Sequence, residues 1–131
     1  MGACEAIGLL KMDFLGLANL TILGRAMQLI EQTRGEVLDL QKIPLDDERA
    51  FRLLGNGETT AIFQLEGSGM RRYIKELKPT TVADLAAMVA LYRPGPMSAI
   101  PQYIAAKNGQ AAVAYLHPVL EPILAPTYGV L

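Results

Sequence analysis

The sequence contains no tryptophan, one cysteine and one histidine, and its aromatic content is 6%. Core packing therefore rests on aliphatic and methionine side chains, which fill irregular space but give few rigid anchors. Cys4 has no second cysteine to pair with, which fits a reducing, cytoplasmic setting. His117 has neither another histidine nor a neighbouring cysteine, so it cannot anchor a zinc site. No Gly-x-Ser-x-Gly elbow is present to expose a serine nucleophile. A charge excess of one sign is also missing: twelve basic and thirteen acidic residues leave a formal net charge of −1. Nucleic-acid binders draw most non-specific affinity from Lys and Arg at phosphates, so this balance argues against an autonomous one. No apolar run reaches the roughly 18 residues that span a bilayer, and no signal-peptide pattern opens the chain. No membrane partner is expected.

What is present is enough for one folded domain. The chain has 131 residues, 51% hydrophobic and 19% charged, which supports a core and excludes a disordered tail. Residues 7 to 15, IGLLKMDFL, read as an apolar strand carrying Lys11 and Asp13 on one face and Met12 and Phe14 on the other. Gly16 ends it. Leu20, Leu23, Met27 and Ile30 then recur at helical spacing, predicting a helix over about 17–34. Asn19 is a candidate cap, and Arg34-Gly35 a cationic end and C-cap.

Pro44 breaks the connector that follows. Asp46 is the expected cap of a short helix over 49–54, stopped by Gly55-Asn56-Gly57. Residues 59–65, TTAIFQL, predict a short strand or extended segment. A helix over 70–77 places Met70, Ile74 and Leu77 on one face. Thr80 or Thr81, with Asp84, opens the next helix, which runs to about Tyr92 and is apolar enough to be buried on most sides. Arg93-Pro94-Gly95-Pro96 is a rigid turn. A further helix fits 98–107, residues 111–116 read as extended, and His117-Pro118 opens a last short helix through Leu124. The closing TYGVL reads as a strand-like step with no polar tail, as if cut within an element. The expected class is mainly α with a short β element at the start, an α+β arrangement.

Three constellations stand out chemically. Lys11 and Asp13 form a charged pair in an apolar strand, either a surface ion pair or a magnesium-binding carboxylate with its lysine. Glu66-Gly67-Ser68-Gly69 leads into a helix bearing Arg71, Arg72, Lys75 and Lys78. A glycine-flanked helix start suits a phosphate, although the same residues fit an ordinary loop and a solvated charged face. In Tyr92-Arg93-Pro94-Gly95-Pro96, the prolines hold the arginine in one direction, as a phosphate contact requires.

In their order, GLLKMDFLGL (8–17), IPLDD (43–47), AIFQLEGSGM (61–70), LYRPGPM (91–97), HPVLEPIL (117–124) and TYGV (127–130) resemble the C-family replicative DNA polymerases, and most of all the DnaE-type bacterial DNA polymerase III alpha subunits. The resemblance covers nearly all of the chain. It implies an interior fragment of such an enzyme, with residues 1–16 the end of the palm and 17–131 part of the fingers, truncated at the C-terminal end. It implies that Asp13 is a catalytic carboxylate and metal ligand, joining an upstream Asp-x-Asp pair around two Mg2+ ions, with Lys11 beside it near phosphate. It places Ser68, Gly69, Arg71, Arg72 and Arg93 near nucleotide or DNA phosphates. The implied reaction is deoxynucleotidyl transfer from deoxynucleoside triphosphates onto primer–template DNA, with the sliding clamp and other replicase subunits as partners of the intact enzyme. The fragment alone is expected to be inactive. Gly67 and Pro126 depart from the family pattern, which usually has a serine-like residue at the first and an acid at the second. The alternative is a non-catalytic helical nucleic-acid-binding module built on Arg71, Arg72, Lys75 and Lys78, and a third reading is a helical interaction domain.

Overall fold

The computed structural model describes residues 2–10, 12, 14 and 16–130. The chain divides into two units, Met1–Lys42 and Ile43–Leu131. The first unit holds α1 (Gly2–Ala6), α2 (Ala18–Arg34) and a 3-10 turn at Leu40–Lys42. Local signals account for α2. Gly35 takes the left-handed conformation at φ 69° and donates its N–H to Glu31, closing the helix as the Arg34-Gly35 pair predicts. Leu17 occupies the cap position, with no side-chain bond, in place of Asn19. No side chain of α2 is buried.

The second unit contains α3 (Glu48–Gly55), α4 (Ser68–Leu77), α5 (Val82–Leu91), α6 (Ile100–Lys107) and α7 (Glu121–Leu124), with 3-10 turns at Pro96–Ala99, Pro118–Leu120 and Ala125–Thr127. Helix α4 is central and packs against α3, α5 and α6. Its buried face is Met70, Ile74 and Leu77, the stripe expected from spacing. Around them lie Leu54, Leu65, Met88, Leu91, Ile100, Tyr103, Ile104 and Val130. Caps set the helix starts. Asp47, not Asp46, accepts from the N–H groups of Arg49 and Ala50 at 2.7 and 3.2 Å. Thr81 and Asp84 form a reciprocal capping box on α5. His117 accepts from the Val119 N–H at 3.2 Å and starts the turn that Pro118 opens.

The α+β expectation is corrected: among the described residues there is helix and turn but no strand. At the start, α1 ends at a left-handed Gly8, and the Leu9 N–H returns to the Cys4 carbonyl at 3.0 Å. Residues 9, 10, 12, 14, 16 and 17 carry no regular structure. A strand satisfies its backbone only by pairing, and no other strand exists among the described residues to pair with.

The segment 59–65 is likewise not extended. Its Ile62 and Leu65 N–H groups bond the Thr59 and Ile62 carbonyls at 3.1 and 3.0 Å, so it coils into successive turns. Ala61 and Gln64 are left-handed there, at about 1–2 kcal/mol of strain each, held by the buried Thr59 and Leu65. The TYGV stretch also turns: Tyr128 is left-handed and the Thr127 hydroxyl donates to the Val130 carbonyl at 2.6 Å.

Helix α5 is less enclosed than its apolarity predicts. Asp84, Met88 and Leu91 are buried, whereas Ala83, Ala86 and Ala90 are exposed and Val82 is 45% exposed. Much of its apolar count is alanine, which adds little area to bury.

Candidate nucleic-acid interface

The start of α4 carries the geometry closest to the motif-based expectations. Gly67 is its N-cap, with extended backbone and no capping side chain, so the first-turn N–H groups of the helix have no side-chain acceptor. The second helical residue, Gly69, lies against Tyr92. A Cβ on Gly69 would overlap the Tyr92 hydroxyl and stand 3.3 Å from its Cζ. Tyr92 is the C-cap of α5, and its N–H bonds Met88 at 2.9 Å. The chain then turns sharply. Arg93 donates its N–H to the Leu91 carbonyl at 2.8 Å, Gly95 sits at φ 103°, and Pro96 opens the next 3-10 turn. Gly95 is needed for that backbone, which side-chain-bearing residues rarely adopt.

Ser68, Gly69 and the Tyr92-Arg93 step are thereby brought to one place from segments far apart in sequence. The Tyr73 ring meets the Tyr92 ring edge-on, with centroids 6.0 Å apart, and the Arg72 guanidinium lies 4.8 Å over the Tyr73 ring. Arg72 also pairs with Glu76 at 3.8 Å, but both side chains are more than half exposed, so the pair is weak. Exposed Arg72 lies over the Tyr73 ring and exposed Arg93 follows Tyr92 directly in the chain, a combination that can take an anionic, planar ligand.

Arg71 has a different setting. Its Nε donates to the Thr59 hydroxyl at 3.2 Å and an Nη donates to the Glu66 carbonyl at 3.1 Å. It ties the coiled 59–66 loop to α4. The aliphatic stems of Arg71 and Lys75 also cover Gly57. Lys11 and Asp13 lie outside the described residues. Among the described residues, no three His, Cys, Asp or Glu side chains gather to hold a metal ion. A lone carboxylate from this chain would be one ligand of a site needing further oxygen donors.

Residues 19–131 match the family of bacterial DNA polymerase III alpha subunit finger domains. The chain belongs to that family. It is 53% identical over all 131 residues to a DNA polymerase III subunit alpha of Halalkalibacterium halodurans, and 50% identical to that of Staphylococcus aureus strain COL. It spans about 12% of the length of each.

At the other end of this finger-domain helix lies an ion pair that no motif announces. The Lys107 ammonium stands 3.5 Å from Asp84, with both side chains more than nine-tenths buried. It donates to the carbonyls of Leu77 and Lys78 at 3.2 and 2.6 Å, covering the C-terminal end of α4. Asp84 also accepts from the Thr80 and Thr81 N–H groups at 2.9 and 3.1 Å. Burial opposes its ionisation most strongly. The Thr80 N–H, Lys107, the Thr81 N–H and the Thr80 hydroxyl together outweigh burial and hold its pKa below the ordinary carboxylate value. Burial, then the charge of Asp84, then Tyr128 push the Tyr103 phenol up to about 12.

A groove of about 570 Å³ lies near the same end, lined by residues including Phe51, Arg52, Lys78 and Pro79. Of the basic residues singled out on α4 it includes Lys78, whereas Ser68, Gly69, Arg71, Arg72 and Arg93 do not line it. Composition and spacing gave no sign of Lys107 or of Tyr73. Spacing placed Gly69 in the loop before a helix over 70–77, whereas α4 already starts at Ser68, and nothing in the sequence pointed to the Gly69–Tyr92 contact. No helix among the described residues is long and apolar enough to cross a membrane.

Proposed function

We propose that this segment serves in the fingers of a replicative, template-directed DNA polymerase of the bacterial cytoplasm. Residues 1–16 are assigned to the end of the palm and 17–131 to part of the fingers. The primer 3′-hydroxyl oxygen attacks the α-phosphorus of a deoxynucleoside triphosphate. A new phosphodiester bond forms, the bond to the β-phosphate breaks, pyrophosphate leaves and the hydroxyl proton is lost. The observation carrying this reading is identity of 53% along the whole chain to a DNA polymerase III subunit alpha.

The convergence of Ser68, Gly69 and Tyr92-Arg93 supports a role in holding the phosphates of the nucleotide or of the DNA. Arg72 adds a solvent-facing cation beside Tyr73. Asp13 is assigned as one carboxylate of the Mg2+ site, and Lys11 as the neighbouring cation that offsets phosphate charge. The sliding clamp and the other replicase subunits are the partners proposed for the whole enzyme.

The test is primer extension by the full-length polymerase that contains this segment. Asp13→Asn is expected to lower the rate on the order of a hundredfold or more while primer–template binding persists. Arg93→Ala is expected to raise the KM for deoxynucleotide on the order of tenfold. Parental kinetics in both variants would remove this assignment. The 131 residues alone are expected to extend no primer.

A further inference from the structure

We infer that Tyr92 is a positioning residue, whose phenol, set against Gly69 and the Tyr73 ring, fixes the register of the Arg93 turn against the first turn of α4. The inference rests on the proposed function, since it concerns how the Arg93 surface is held. Its starting point is an unneeded glycine. Gly69 is inside a helix, in a backbone conformation any residue accepts, where alanine is the better helix former. Nearby Gly67 has nothing within 4 Å of a would-be Cβ. Gly69 differs because the Tyr92 hydroxyl occupies that space, with Cζ at 3.3 Å and Cε2 at 3.7 Å.

The hydroxyl is the decisive atom. Without it, the nearest ring atom to an added methyl would be Cζ at 3.3 Å, a tight contact that a shift of a few tenths of an ångström relieves. With it, the ring has to move. The Tyr92 ring also meets the Tyr73 ring edge-on, one helical turn from Gly69, which resists its displacement. The Tyr92 backbone leads directly into Arg93, Pro94, Gly95 and Pro96, where proline rings and the special Gly95 conformation leave little slack. A shift at the phenol is therefore passed to Arg93 instead of being absorbed in the turn. Tyr92 acts as a spacer between the helix start and the arginine.

The experiment is a double-mutant cycle in the full-length polymerase, read as steady-state kcat and deoxynucleotide KM. Gly69→Ala is expected to raise KM on the order of tenfold with kcat little changed. Tyr92→Phe alone is also expected to raise KM on the order of tenfold, because the spacer loses the atom that meets Gly69. Gly69→Ala combined with Tyr92→Phe is expected to return KM to within about threefold of parental. Failure of the double variant to recover, or a parental KM in Gly69→Ala, overturns the inference. So does a loss of kcat matched by a loss of thermal stability, which would mark the contact as packing only. Arg93→Ala separates the two claims: if it leaves KM unchanged, the proposed function of this surface fails. If it raises KM while the cycle shows no coupling, only the spacer role fails.

Discussion

The two units of this chain handle the same kind of sequence in opposite ways. In α2, Leu20, Leu23, Met27 and Ile30 repeat at helical spacing, yet Leu20 is 64% and Leu23 is 47% exposed, and no side chain of the helix is buried. In α4, Met70, Ile74 and Leu77 repeat at the same spacing and are 3%, 0% and 0% exposed. Periodicity marks which face of a helix is able to be buried. Burial itself needs a partner surface, which α3, α5 and α6 provide for α4. The first unit is thus held by local hydrogen bonds and its glycine cap, and the second by a core.

The contrast breaks most sharply at Lys107. Lys107→Met leaves Asp84 buried without its cation and strips the donor from the Leu77 and Lys78 carbonyls. The expected cost is about 3–5 kcal/mol, confined to the second unit. Native-state hydrogen exchange checks it: protection should fall across α4, α5 and α6 while the α2 amides keep their rates. Equal loss in α2 would contradict the separation.

A paired truncation sharpens the same comparison. Ile74→Ala removes a fully buried side chain and is expected to cost about 2–5 kcal/mol. Leu23→Ala in α2 is expected to change stability by less than about 1 kcal/mol, because that side chain is already half in water and alanine favours helix. Urea unfolding of the two variants measures the difference, and similar costs would mean that α2 has a packed partner after all.

The smallest effect is in pH. The Tyr103 pKa is raised above its unfolded value near 10 to about 12, so the folded state keeps its proton longer. Its stability contribution is complete below pH 10 and declines as pH rises toward about 12. Asp84 works in the other direction: its pKa is depressed, so its contribution is present above the ordinary carboxylate value and is lost as pH falls through the folded one. Tyr103→Phe is expected to flatten the alkaline loss on the order of 2 kcal/mol and to leave the acid limb in place. Denaturation midpoints across pH measure both limbs.

Several parts of this arrangement were legible along the chain. The span of α2, the Gly35 cap, the Thr81–Asp84 box, the buried face of α4 and the His117-Pro118 helix start all follow from short-range stereochemistry. The segments expected to be extended were misread for a long-range reason. IGLLKMDFL has strand character but no described partner strand, and TTAIFQL is captured by Arg71 through Thr59 and Glu66. Of the candidate site, the two loops were visible as glycine- and proline-rich punctuation, but their meeting at Gly69 and Tyr92 was not.

Sequence by itself settled the family, through ordered motifs that extend over nearly the whole chain, and it settled the helices whose ends are written in neighbouring residues. Those depend on contacts a few residues apart. Tertiary structure alone decided that Lys107 neutralises Asp84, that Arg71 braces a loop, and that Tyr92 stands against Gly69. Each of these joins groups more than ten residues apart, and only the packing of one helix against another brings such groups within hydrogen-bonding or van der Waals reach.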